Sequence, residues 1–167
     1  VACSAGNSGP TSGTVAHPGP WLTTVAAGTH NRAARGTVTL GNGAPHTGFS
    51  VAATAVQAPL VDSTAAGLAS ADPTAVSLCF AAVDNGGTPV LDPAKVAGKI
   101  VVCDRGVTAR VNKSLAVKEA GGVGMILVNT SANTLNADFH SVPTVHLQST
   151  DRAAVKAYAA TPGPSAA

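Results

Sequence analysis

Val96-Ala97-Gly98-Lys99-Ile100-Val101-Val102-Cys103-Asp104-Arg105-Gly106 and Glu119-Ala120-Gly121-Gly122-Val123-Gly124-Met125-Ile126-Leu127-Val128-Asn129 bracket the stretch that decides the fold. Ile100–Cys103 and Met125–Val128 are nearly unbroken apolar runs, too short for helices and rich in branched residues. Each therefore reads as a buried strand. Between them lies a helix-length segment, 109–120, with Gly121 placed to cap its C-terminus. Strand, helix, strand within about 30 residues is a βαβ crossover, so the two strands are expected to be parallel. The helix is only moderately amphipathic. Ala109, Ala116 and Ala120 share one stripe, and Val111 and Leu115 form a pair well to its side.

Working outward, the flanks read as further strands, turns and one more helix. Gly36–Leu40 followed by Asn42-Gly43 is a hairpin signal. Val51–Val61 reads as a strand followed by a loop. Asp92 with Pro93 behind it opens a short helical turn. Val142–Leu147 reads as a last strand, with Pro143 at an edge or a strand start. Ser149 or Thr150 is expected to cap a helix from Asp151 to Ala160, which Thr161-Pro162-Gly163-Pro164 stops.

The chain has 167 residues, enough for one domain or for one domain and part of another. Hydrophobic residues make up 45% and charged residues 11%, which excludes an ordinary disordered chain. Aromatic residues are only 3%, so the core must be built from Val, Leu, Ile and Ala. The net charge of +2 is scattered, without the basic stripe that nucleic acid requires. No apolar run approaches membrane-spanning length. Val1 is preceded by no initiator Met and followed by no signal-peptide pattern, so the chain reads as an excised piece. Among the three cysteines, Cys79 and Cys103 are the candidate pair, closing a loop whose oxidation contributes about 3 kcal/mol. Buried free thiols are the alternative, and the residues alone leave both open.

Three words carry a resemblance: "VAGKIVVCDRG" at 96–106, "ARVNKSLAVKEAGGVGMILVN" at 109–129 and "VPTVHL" at 142–147. Together they resemble the protease-associated (PA) domain inserted in subtilisin-like serine proteases. "SAGNSGP" at 4–10 and "PGPWLTTVAAGT" at 18–29 are similar to the oxyanion-hole segment and the following strand of the catalytic domain of the same enzymes. The resemblance implies an α/β, PA-type β/β/α architecture, a small curved β-structure flanked by helices. It implies catalytic-domain strands over 1–50, a PA domain over 51–160 and a tail over 161–167. It makes Asn7 the oxyanion-hole donor, acting only in the intact enzyme. The secreted habit of the family favours the Cys79–Cys103 disulfide. Residues 1–30, separated from their native sheet partners, are expected to be poorly ordered or to pair with another chain through an exposed edge.

The residues for peptide-bond attack are looked for and not found. A serine protease needs a nucleophilic Ser, a His base and an orienting Asp. The "GTSMAxP"-type word that carries the family's nucleophile is absent from the chain. Gly28-Thr29-His30 and Val61-Asp62-Ser63-Thr64 echo the family's His and Asp words, but they follow Asn7, where the family places them before it. They read as surface or loop residues. None of the five histidines (His17, His30, His46, His140 and His146) has a metal-ligand partner at i+3 or i+4, and Cys-x-x-Cys is absent. Gly121-Gly122-Val123-Gly124 precedes a strand, so it is not a dinucleotide loop. Asn112-Lys113-Ser114 and Asn129-Thr130-Ser131 are sequons that chance explains equally well. Asp104-Arg105-Gly106 follows a strand and forms either a ligand-facing corner or a charged turn, with composition favouring the turn.

The expected function is that of a non-catalytic PA domain of a secreted subtilisin-like endopeptidase. It would shape substrate access or mediate protein contact and self-association. Its partners would be protein or peptide substrates of the parent enzyme. No cofactor, metal, nucleic acid or membrane span is expected, and the chain alone is expected to be inactive. The rival is a stand-alone PA-type binding module of a receptor or sorting protein, for which an oxyanion donor would have no use.

Overall fold

The computed structural model describes residues 1–28 and 32–167. They form two compact units, Val1–Arg32 and Ala33–Ala167. In the first, β1 (Ala2–Ser4) and β2 (Thr23–Val25) pair in parallel, in the register Ala2–Thr23 to Ser4–Val25.

The second unit is built on the predicted βαβ crossover. β6 (Ile100–Asp104) and β7 (Gly124–Val128) are parallel, running from Ile100 beside Gly124 to Asp104 beside Val128. Every residue of both strands is buried, because both faces of the pair are covered. Helix α3 (Arg110–Glu119) joins them. It ends in a paired cap: Gly122 N–H donates to Val117 O at 2.8 Å and Gly121 N–H donates to Lys118 O at 2.9 Å. Gly121 has φ +80°, which its missing side chain permits.

Around this pair, β3 (Arg35–Thr39), β4 (Pro45–Phe49), β5 (Ala58–Asp62), β8 (Thr144–Leu147) and β9 (Ser165–Ala166) complete a seven-stranded sheet in the order β3-β4-β8-β7-β6-β5-β9. The sheet closes on itself. Thr39 N–H donates to Ala167 O at 2.8 Å, Ala167 N–H donates to Thr39 O at 3.0 Å, and Gly41 N–H donates to Ser165 O at 2.8 Å. A barrel results. Its interior packs Leu40, Leu60, Val102, Ile126, Val128 and Leu147 together with Val155 from helix α4 (Ser149–Ala159). The outer face of the parallel strands packs against α3, against the short helices α1 (Pro73–Ser77) and α2 (Pro93–Val96), and against the Cys79 loop. The architecture is therefore a curled sheet flanked by helices, as the sequence implied.

Several local readings change. The hairpin β3–β4 and the segment 33–50 lie in the same compact unit as the barrel. The stretch 51–61 is a loop followed by a strand, the reverse of the expected order. β8 is not the last strand but an internal one, between β4 and β7, with Pro143 just before its start. The segment 161–167 holds β9, the strand that closes the barrel. Helix α4 begins at Ser149 and is capped by Gln148, whose Oε1 accepts from Ser149 N–H at 3.0 Å.

Candidate functional site

Asn7 stands exposed in a bend of the first unit, just after Gly6 at φ +83°. The neighbouring turn is held by Gly6 N–H donating to Ser4 Oγ at 3.0 Å. His30 lies outside the described residues. Asp62 is committed to structure: Oδ2 accepts from Lys156 Nζ at 2.8 Å, and Oδ1 accepts from Thr64 N–H at 2.9 Å. Hydrogen bonds from Lys156 and Thr64 outweigh its burial and hold its carboxyl below the usual range.

One Ser–His contact needs a decision. Ser114 Oγ lies 3.0 Å from His140 Nδ1, and Asp138 is nearby. Ser114 is fully buried in α3, and its hydroxyl donates to Val111 O at 2.7 Å and accepts from Ser141 N–H at 3.0 Å. With that proton committed, His140 must itself donate from Nδ1. Asp138 is paired bidentately with Arg110. The trio ties the 130–141 loop to α3 and offers no accessible nucleophile. Among the described residues, no group of three or more His, Cys, Asp or Glu could hold a metal ion.

A network that the sequence did not show anchors the same loop. His146 is wholly buried. Its Nε2 donates to Asn129 Oδ1 at 2.8 Å, and its Nδ1 accepts from Asn136 N–H at 3.1 Å. Asn129 Nδ2 donates in turn to Asn133 O at 3.1 Å and Gln148 Oε1 at 3.0 Å. Burial, chiefly, pushes the His146 imidazole down to about 4. Both sequon asparagines are engaged: Asn129 in this network, and Asn112 through Nδ2 donating to Asp84 Oδ1 at 2.9 Å.

Cys79 and Cys103 are joined by a disulfide with Cα atoms 5.7 Å apart. Beside it, Lys113 is fully buried. Its Nζ donates to Leu78 O at 2.6 Å and Thr108 Oγ1 at 2.8 Å, and lies 5.6 Å from the centre of the Phe80 ring. Desolvation pushes this ammonium down to about 8. No periodicity marks a lysine at a core position. Only its place one turn before Val117 on the sheet-facing side could have hinted at it.

α4 lies at the C-terminal end of the barrel, where Arg152 and Lys156 reach Asp104 and Asp62, the last residues of β6 and β5. The opposite end is open. It holds a cavity of about 210 Å³ lined by Val38, Ile100, Ile126 and Val145 and by the small residues Ala52–Val56. The Ser50 hydroxyl, also in its wall, is satisfied by donating to Thr144 O at 2.7 Å. On the other side of Ala52–Thr54 lies a second hollow of about 240 Å³, lined by Val51, Asp138, Phe139, His140 and Val142. The Phe139 side chain is 88% exposed at its rim. The first hollow has small apolar walls, and the second carries an exposed aromatic ring at its rim.

The comparisons agree with this geometry. The family model for the PA domain matches residues 56–155. Subtilisin-like protease SBT1.7 of Arabidopsis thaliana is 48% identical over 146 residues, covering 86% of this chain and 18% of its own length. Subtilisin-like protease SBT5.3 of the same plant is 41% identical over 164 residues, covering 95% of this chain and 20% of its own. The chain thus spans about a fifth of the length of the curated relatives it matches. Among solved structures, an aminopeptidase from Aneurinibacillus sp. strain AM-1 superposes with a TM-score of 0.52 at 19% identity, over 80% of this chain and 31% of that one, a likeness of fold alone. The chain belongs to the PA domain family and is similar along most of its length to subtilisin-like proteases.

Proposed function

We propose that this chain carries the non-catalytic PA domain of a secreted subtilisin-like serine endopeptidase, and that it makes protein contact through the open end of the barrel. The observation that carries the reading is the apolar cavity with a second hollow beside it, rimmed by the exposed Phe139, in a unit whose Ser–His contact is buried. An extended protein segment lying over Ala52–Val56 would bury its side chains in the cavity and in the hollow beside it. In the parent enzyme such contact would shape substrate access. Between two copies it would give self-association. The disulfide supports an oxidising, extracellular setting. Relatives that match 95–99% of the chain support the protease context over a stand-alone receptor module, because their similarity is not confined to residues 56–155.

On this reading Asn7 belongs to the catalytic domain and would aim its side-chain N–H at the oxyanion once the enzyme is complete. Removing such a donor in subtilisin costs about 10² to 10³ in kcat, and Asn7→Ala in the full enzyme is expected to cost the same.

The test for the domain uses labelled, unfolded casein as the probe. Fluorescence anisotropy is expected to show binding that Phe139→Asp and Ala53→Asp each weaken roughly tenfold, since a charge is forced against apolar surface. No cleavage is expected. Turnover blocked by a serine-directed covalent inhibitor would overturn the non-catalytic assignment, and unchanged binding by both variants would overturn the location.

A further inference from the structure

At the other end of β6 and β7, five-residue strands away from the apolar cavity, the corner Asp104-Arg105-Gly106 faces the start of the 130–141 loop. Asp104 is spent on the fold: its carboxylate takes both a fork from Arg152 and a contact from Lys156. Arg105 is not. Its backbone N–H donates to Val128 O at 2.7 Å, but among the described residues no acidic group or carbonyl pairs with its guanidinium. Its Nη1 is buried without a hydrogen-bond partner. A buried donor left unmade costs about 1–3 kcal/mol, and more when it is charged.

Arg105 lines a polar pocket of about 160 Å³ with Gly106, Asn129, Thr130, Ser131 and Asn133. The pocket sits just past the carboxyl ends of the adjacent parallel strands β6 and β7, where both run out into loops. It is held rigid from behind. Asn129 is fixed by the His146 network, and Gly106 packs so closely that an added Cβ would lie 2.5 Å from Leu78 Cδ2. An unpartnered planar fork in a polar, preformed pocket matches a carboxylate, which accepts two parallel N–H bonds.

We propose that the Arg105 pocket is a carboxylate-binding site, recognising a peptide's terminal carboxylate or an acidic side chain. The site is separate from the apolar cavity and does not depend on it. The proposal gives the Asp104-Arg105-Gly106 word a division of labour. Asp104 holds α4 onto the barrel, Gly106 lets the turn close, and Arg105 reads the ligand.

The test is a nuclear magnetic resonance titration of the whole chain with three probes: N-acetyl-Ala-Ala with a free carboxylate, the same dipeptide as its C-terminal amide, and N-acetyl-Asp-N-methylamide. Saturable shifts of the Gly106, Ser131 and Asn133 amides are expected from at least one carboxylate and none from the amide. The carboxylate that saturates at lower concentration identifies the natural source. Arg105→Gln is expected to weaken binding roughly ten- to hundredfold, and Arg105→Lys by less. Unperturbed spectra for Ile100–Cys103 would show that both variants remain folded. A second readout is independent of affinity. The Arg105 charge is one of the influences that depress His146, so filling the site should raise the His146 titration midpoint. Equal shifts with the amide probe, no saturable shift with either carboxylate, or binding unaltered in both variants would overturn the proposal.

Discussion

Single residues carry the pH response. His146 is neutral in the fold, donating from one ring nitrogen and accepting at the other, so a second proton would meet Asn136 N–H. Its folded value of about 4 lies below the ordinary 6.5, so the unfolded chain binds the extra proton first as pH falls. Stability is therefore full above about pH 6.5 and declines toward pH 4, by on the order of 2–3 kcal/mol from this group. Urea denaturation across that range should show the slope, and His146→Gln should flatten it at the cost of lower stability near neutrality. Lys113 has the same sign at higher pH. Its folded value of about 8 lies below 10.5, so stability should rise between those values as the buried ammonium gives up its proton. Lys113→Met removes the charge and should abolish that rise, which denaturation at pH 7.5 and 10 can check. Neither residue was legible beforehand. His146 stands in a strand word that reads as ordinary alternation, and Lys113 interrupts a helix whose pattern had only moderate amphipathicity.

Elements were legible where composition is unambiguous. The runs Ile100–Cys103 and Met125–Val128 could only be buried strands, and Gly121 could only end the helix between them, so β6-α3-β7 was readable from the sequence. Asp92 likewise caps α2 as expected, with Oδ1 accepting from Ala94 N–H at 2.9 Å. The misreadings fall where the chain is alanine-rich and local preference is weak. Across 51–62 the strand forms at Ala58–Asp62, beside β6, because pairing there is decided by a distant partner and not by propensity. β9 is only two residues long and follows Pro162-Gly163-Pro164, so nothing local announces it. Crossing strands impose their own requirement at Gly48 on β4, where an added Cβ would lie 2.2 Å from His146 O. Backbone cannot yield as a side chain end does, so Gly48→Ala is expected to cost about 3 kcal/mol. A thermal melt beside the parent chain would reveal it, and an unchanged midpoint would mean that β4 and β8 are less closely apposed.

At the scale of the molecule, the barrel, its disulfide and its two ends define the account. The Cys79–Cys103 bond links residues 24 apart and ties the α1 loop to the buried strand β6. Replacing both cysteines with serine should lower stability by roughly 3 kcal/mol through freedom returned to the unfolded chain. Denaturation of the double variant under non-reducing conditions checks this. The barrel has one end covered by α4, and the other holds the apolar cavity, with the exposed Phe139 ring at the rim of the hollow beside it. That asymmetry could not be read from the sequence, because closure depends on Ser165–Ala166 meeting Thr39–Gly41 across most of the chain. The most direct measurement is a methyl-resolved spectrum of the chain titrated with unfolded casein. The account predicts shifts concentrated on Ala52, Ala53, Ala55, Val56 and Val145, with the casein left intact. Shifts confined to other faces of the barrel, or casein cut into fragments, would contradict it.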